Sequence, residues 1–234
     1  MPSGESAKPS GRRGLALRVV ATLAALAIWF WTQSLIGARA PSAQIGDALQ
    51  DLFGGLNAYF GQHPSAANAL LIVSSGFIDA LGLFLVAEWI LVGRVRPFLG
   101  LVLLLGLRQV IQTLCALPAP PHMIWRYPGF PSLFVTYNVG NDYFFSGHTA
   151  IAVFGAMELA RFRRKWLTAF AVAIVLFEIA AVLILRAHYT MDVFAGAMAG
   201  LWVAAFCQAV SPRLERLLSQ TNLTDDRETR QDYD

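Results

Sequence analysis

The chain has 234 residues, 56% hydrophobic and only 14% charged, with a formal net charge of +3. A soluble domain carries about a quarter charged residues, so this deficit and a mean hydropathy of +0.52 exclude an ordinary soluble domain and indicate a polytopic membrane protein. The small net charge gives no electrostatic footprint for a nucleic-acid partner. Cys115 and Cys207 both lie in apolar runs, without metal-ligand or disulfide-framework spacing, so neither a metal nor another cofactor is expected.

Hydropathy predicts an all-α bundle with six spans, at about 15–36, 67–92, 97–118, 146–161, 165–186 and 191–210. Residues 1–14 read as a disordered tail, 15–210 as the membrane domain and 211–234 as a polar C-terminal tail without apolar periodicity. The first apolar run ends near Ala38-Arg39-Ala40, which resembles a signal-peptide cleavage site. It exceeds the roughly 7–15 residues of such a segment, and Pro41 would follow the cut, so a retained helix is expected. Between the first two spans, Ile45, Leu49, Leu52, Phe53, Leu56, Tyr59 and Phe60 recur at helical spacing, with Asp47, Gln50 and Asp51 on the other face. This predicts an interfacial helix over about 45–60, lying on a leaflet as an anchor or as a gate for lipid. The fourth span is short for a bilayer and is expected to extend into the Arg-rich turn after it.

Placing both termini on the cytoplasmic side collects fourteen of the eighteen Lys and Arg residues there, in the N-terminal segment, at Arg94 and Arg96, over Arg161–Lys165 and after Arg213. The positive-inside rule therefore predicts N-in, C-in topology. The Asn222-Leu223-Thr224 sequon then faces the cytoplasm and carries no meaning. Two polar junctions fall on the opposite, periplasmic or lumenal, face. One is NDYFFSGHT, from Asn141 to Thr149; the other is LILRAHYTMD, ending at Asp192.

His188 and Asp192 are four apart and share a helical face. A carboxylate that accepts the Nδ1 proton of an imidazole fixes its tautomer and turns the Nε2 lone pair outward as a nucleophile. A second histidine, His148, could then protonate a departing alkoxide, a step that contributes about 10²–10⁴-fold. Ser146 and Gly147, at a helix start, could offer backbone N–H groups to phosphoryl oxygens. A single interfacial histidine such as His63 or His122 is ordinarily an amphipathic residue at headgroup depth; the conjunction of two junctions carries the argument. Within the spans, Asp79, Glu88, Arg108 and Glu178 are costly in lipid, and the depths of Asp79 and Arg108 suggest an ion pair. The outer loop is crowded with aromatics, Trp125, Tyr127, Phe130, Phe134, Tyr137, Tyr143, Phe144 and Phe145. These read as an interfacial belt or, beside Asp142, as a cage for a quaternary ammonium worth about 0.5–2 kcal/mol.

With SGHT followed by HYTMD, the chain resembles the sphingomyelin synthase-like branch of the type 2 phosphatidic acid phosphatase superfamily. The resemblance extends over about residues 90–210 and takes in Arg108, the following QVIQTLCALPAP, and the Asp142-Tyr143 pair ahead of SGHT. It implies a membrane enzyme that moves a phospho-headgroup from a phospholipid to a lipid acceptor such as ceramide or diacylglycerol. His188 would be the nucleophile, Asp192 its orienting group and His148 the acid and later base. Arg108, Asp142, Tyr143, Ser146, Gly147 and Arg186 are the candidates for binding substrate. The superfamily's K-x₆-RP and SR-x₅-H phosphate clamps are missing: Val182 stands six before His188, and the nearby arginine is Arg186. Hydrolysis, with water as acceptor, uses the same residues and is the alternative. A transporter would place its ionisable groups near the midplane, in paired broken helices, which this pattern does not resemble.

Overall fold

A computed structural model describes residues 12–38, 45–137 and 143–231. The described chain is helical throughout its regular structure: α1 (Arg12–Gly37), α2 (Ala48–Leu52), α3 (Gly54–Gln62), α4 (Pro64–Ala87), α5 (Val95–Leu114), α6 (Gly147–Ala160), α7 (Lys165–Ile184) and α8 (Thr190–Gln231). Five segments are long and apolar enough to cross a membrane: Gly14–Leu35, Pro64–Val92, Val95–Leu114, Lys165–Ile184 and Thr190–Leu218. The protein is thus an all-helical, polytopic membrane protein with five candidate transmembrane helices.

The predicted fourth span is where expectation and structure part. α6 has 14 residues, about 21 Å at the α-helical rise, against a hydrocarbon core of about 30 Å. It does not extend into the Arg-rich turn; Arg161 ends it, and Arg163 turns the chain with a φ of 56°. Shortness is tolerated because α6 is the central helix, packed by α4, α5, α7 and α8. Residues 148–155 are all buried, so over that stretch the helix meets protein rather than lipid, and beyond it in α6 only Met157 is exposed.

The local sequence explains the other boundaries. Pro64 opens α4, where its missing N–H is no loss. The same helix ends in a wider π-helical turn, Glu88–Val92, closed by Gly93 at φ 83°, a left-handed cap that glycine adopts without strain. α8 continues to Gln231, past the span end expected at residue 210 and through Pro212, so the tail expected to lack structure is helical there. Residues 1–11 lie outside the described chain.

Small residues set the closest helix approaches. Gly196 and Gly200, four apart on α8, lie against the backbone of α6, where an added Cβ would meet Ser146 and Ala150. This is the small-xxx-small packing that lets membrane helices approach closely. At the far end of α6, Glu158 pairs with Arg96 of α5 at 3.0 Å, both side chains buried, and Arg96 also donates to the Ala204 carbonyl of α8. α1 stands outermost. It is attached through α5 and the end of α4, with the Arg18 guanidinium 5.5 Å from the Trp89 ring and donating to the Ile90 carbonyl.

The expected interfacial helix is two short ones with a break at Phe53. Asp47 caps α2 by accepting from the Leu49 and Gln50 N–H groups, at 3.0 and 3.2 Å. Leu49, Leu52, Leu56 and Tyr59 face outward, whereas Gln50 and Asn57 are buried on the protein side. The apolar side is therefore the exposed one, the reverse of an amphipathic helix on a soluble domain.

Candidate active site

The two junctions picked out in the sequence do meet. α6 and α8 begin at the same end of the bundle, and the Ser146 N–H donates to the Asp192 carbonyl at 3.0 Å, tying one helix start to the other. Between them opens a narrow cleft with an interior volume of about 30 Å³. His148 and His188 both line it, together with Arg108, Trp125, Tyr143 and Gly147. Apolar side chains make up most of the remaining wall: Trp29, Ile78, Leu105, Phe134 and Ile151.

His188 precedes α8 on the short 185–189 loop. Its Nδ1 lies 2.8 Å from the Tyr143 carbonyl oxygen. A carbonyl can only accept, so Nδ1 carries the proton and Nε2 holds the free lone pair. The Asp192 carboxylate stands 3.9 Å from Nδ1, beyond hydrogen-bonding distance. It accepts instead from the Tyr189 N–H at 2.8 Å. Asp192 is thus the third residue of α8 reaching back to the residue before the helix, half of a capping box. Its charge sits fully buried beside the imidazole, and its other oxygen has no partner among the described residues.

The start of α6 is assembled the same way. The Ser146 hydroxyl oxygen accepts from the Thr149 N–H at 3.3 Å and from the Thr149 hydroxyl at 3.0 Å. With the Ser146 N–H committed to Asp192, the open donors of this turn are the N–H groups of Gly147 and His148, which make no hydrogen bond among the described residues. An added Cβ at Gly147 would lie 3.3 Å from Cδ and Nε of Arg108. Glycine lets the guanidinium lie over this helix start, so a cation and a helix N-terminus converge on one spot. Arg108 Nη1 donates to the Gln33 side-chain oxygen of α1 at 2.7 Å. The His148 ring is buried edge-on to Trp125, with centroids 5.1 Å apart, and its Nε2 has no partner among the described residues.

Other expected site residues fall elsewhere. Arg186 does not line the cleft: its guanidinium donates to the Pro121 and Gln50 carbonyls, at 2.9 and 3.1 Å. These bonds hold Arg186 at a φ of 53°, a left-handed conformation costing about 1–2 kcal/mol for a residue with a side chain. Asp142 lies outside the described residues. The expected Asp79–Arg108 ion pair does not form. Asp79 accepts from the Ser132 hydroxyl and from the Leu133 and Phe134 N–H groups, so its charge folds the aromatic loop instead. Glu178 accepts from the Ser74 hydroxyl at 2.6 Å, and Tyr137 bonds Ser75 while its ring lies 5.2 Å from Trp125. Sequence reasoning missed Trp29 and Gln33, because nothing in an apolar first span marks which face meets the site.

It also missed the support of the His188 loop. Asp47 accepts from the Thr190 N–H and hydroxyl, the latter at 2.7 Å, capping α8 as well as α2. Burial works to raise the Asp47 carboxyl, but the bonds from Thr190, Gln50 and Leu49 prevail and hold it below its ordinary value. The Gln50 amide donates to the His188 carbonyl at 3.0 Å, and Asn57 donates to the Ile184 carbonyl at 2.9 Å.

Fold and site together define an integral membrane protein with a two-histidine cleft at one end of its bundle. The AtPDCT1/2 family model matches residues 51–209, and the chain belongs to that family. It is 23% identical over 193 residues to phosphatidylcholine:diacylglycerol cholinephosphotransferase 1 of Arabidopsis thaliana, a match covering 82% of this chain and 60% of that protein. It is also similar to the crystal structure of Aquifex aeolicus LpxE, with 18% identity and a TM-score of 0.40, covering 79% of this chain and 94% of that one.

Proposed function

We propose that this protein transfers phosphocholine from phosphatidylcholine to diacylglycerol through a phosphohistidine on His188. The observation that carries the reading is the pair of histidines on one cleft, with His188 Nδ1 tied to the Tyr143 carbonyl so that Nε2 is the free nitrogen. Nε2 attacks the headgroup phosphorus, the bond to the glycerol oxygen breaks, and His148 gives that oxygen its proton, releasing diacylglycerol. The hydroxyl of an incoming diacylglycerol then returns a proton to His148 and attacks the phosphohistidine, freeing Nε2. Arg108 and the Gly147 and His148 N–H groups would hold the phosphoryl oxygens as charge develops. Trp29, Trp125, Phe134 and Tyr143 offer ring surface to the quaternary ammonium.

The apolar wall favours transfer over hydrolysis, since a cleft lined by Ile78, Leu105 and Ile151 suits a lipid acceptor better than water. The plant relative is a phosphatidylcholine:diacylglycerol cholinephosphotransferase, which favours diacylglycerol as the acceptor. Ceramide, the acceptor that goes with a sphingomyelin synthase-like branch, is the rival lipid. In the accompanying topology, α6 is a sixth, internal span, both termini are cytoplasmic, and the cleft opens at the periplasmic or lumenal leaflet. There the 45–62 segment lies at the interface.

Purified protein in lipid nanodiscs, given headgroup-labelled phosphatidylcholine and a diacylglycerol of distinct chain length, should place the label on the new phosphatidylcholine. His188→Ala should abolish both transfer and acid-labile labelled protein. Label released only as water-soluble phosphocholine or phosphate would replace this reading with hydrolysis. Label moving to ceramide and not to diacylglycerol would replace the acceptor.

A further inference from the structure

Four backbone groups of the 184–190 stretch are bonded from outside the catalytic helices. The Ile184 carbonyl accepts from Asn57, the Leu185 carbonyl from the Ile124 N–H, and the His188 carbonyl from Gln50; the Thr190 N–H donates to Asp47. Three of the four partners belong to the segment running from Asp47 through α3. That segment has two distinct faces. Gln50 and Asn57, seven apart, are 2% and 5% exposed, and Phe53 between them packs on the cluster containing Val182, Leu183 and Ala187. Leu52 and Leu56, at 74% and 47%, turn away from the protein.

Resting on the reading of His188 as nucleophile, we infer that Gln50 is a positioning residue for it. The Gln50 side chain donates to the carbonyl of His188 itself, while its backbone carbonyl accepts from Arg186 two residues earlier. One residue thereby grips the loop on both sides of Ala187, and Asp47 anchors the helix start that follows. His188 Nδ1 has its own anchor in the Tyr143 carbonyl, on the α6 side of the cleft. The imidazole is thus stretched between two supports, its backbone held by Gln50 and its ring held by Tyr143. Loss of the first lets the ring leave the second, and the nucleophilic nitrogen loses its direction. Displacements on the order of 1 Å at a reacting group cost about 10²-fold in rate.

The test is Gln50→Met in the full-length protein in nanodiscs, a substitution of similar length that removes the donor. The first readout needs no substrate: ¹⁵N-imidazole spectra of histidine-labelled protein, with the His188 signals assigned by their loss in His188→Asn. The wild type should show a single Nδ1–H tautomer at His188, and Gln50→Met a mixture of tautomers. The second readout is transfer kinetics, where kcat should fall about 10- to 100-fold with KM held within about twofold. Should Gln50→Met fail to fold, Gln50→Asn, whose amide stops one methylene short of the His188 carbonyl, carries the same two expectations. A folded variant with the wild-type tautomer and unchanged kcat overturns the positioning role. A tautomer change in Gln50→Met while the wild type turns over no lipid would instead overturn the transferase reading and leave the positioning role standing.

Discussion

Gly196→Ala is the sharpest perturbation of the proposed site that touches none of its chemistry. The new methyl group would fall on the Ser146 carbonyl oxygen, well inside van der Waals contact, with the Ser146 carbonyl carbon at 3.3 Å and the Ala150 nitrogen at 3.4 Å. These are backbone atoms that cannot rotate aside, so α8 and the start of α6 must part by on the order of 1 Å to restore ordinary contact. Overpacking of that kind costs about 1–3 kcal/mol. The separation occurs where the Ser146 N–H bonds the Asp192 carbonyl, so it also moves His148 relative to His188, at about 10²-fold in rate per ångström. The expected outcome is a folded protein with a modestly lower Tm and a transfer rate reduced about 100-fold. Gly200→Ala, whose methyl meets Ala150 O and the Val153 side chain at 3.0 Å, should be milder. Gly76→Ala, with nothing within 4 Å, should be silent. Thermal melts and headgroup-transfer rates in nanodiscs measure all three. Wild-type turnover in Gly196→Ala would refute the claim that close approach of these two helix starts builds the site.

Two further outcomes probe the frame. Glu158→Gln alone should cost about 3–5 kcal/mol by leaving the buried Arg96 charge uncompensated. Arg96→Met alone should cost less, because Arg161 also stands 3.9 Å from Glu158, and the double variant should recover most of the loss in a denaturation series. Asp47 carries a pH dependence. Its carboxyl is held below the ordinary value when folded, so its contribution is present above the unfolded value of about 3.9 and is lost as pH falls through the folded one. Melting temperature below about pH 4 should therefore fall more steeply in wild type than in Asp47→Asn, and equal slopes would contradict the assigned role.

How much of this was legible in the sequence differs by residue. His148 and His188 were readable because each follows a polar junction into an apolar run, and charge asymmetry put both junctions on one side. The short α6 was readable as an element but not as the centre of the bundle, since a helix buried among helices and one facing lipid have the same apolar composition. Asp192 was correctly placed four residues from His188. Its carboxylate nonetheless caps the Tyr189 N–H, and the Tyr143 carbonyl holds the imidazole proton. A backbone acceptor leaves no trace in side-chain identity. The Asp79–Arg108 pair failed for a related reason: matched depth does not fix rotation, and Asp79 found three loop donors while Arg108 met Gln33.

Periodicity, composition and the placement of charge thus determined a helical membrane bundle, five of its six expected spans and the two histidine junctions, because each is a local property of the chain. Tertiary structure alone decided that Trp29 of α1 lines the cleft, that Gly147 admits Arg108, and that Arg186 faces carbonyls outside the cleft. It also gave the segment after Asp47 its double character, with leucines turned outward and Gln50 turned onto the His188 loop. Which face of a helix meets which neighbour depends on packing across the whole bundle, and no stretch of sequence contains its own partner.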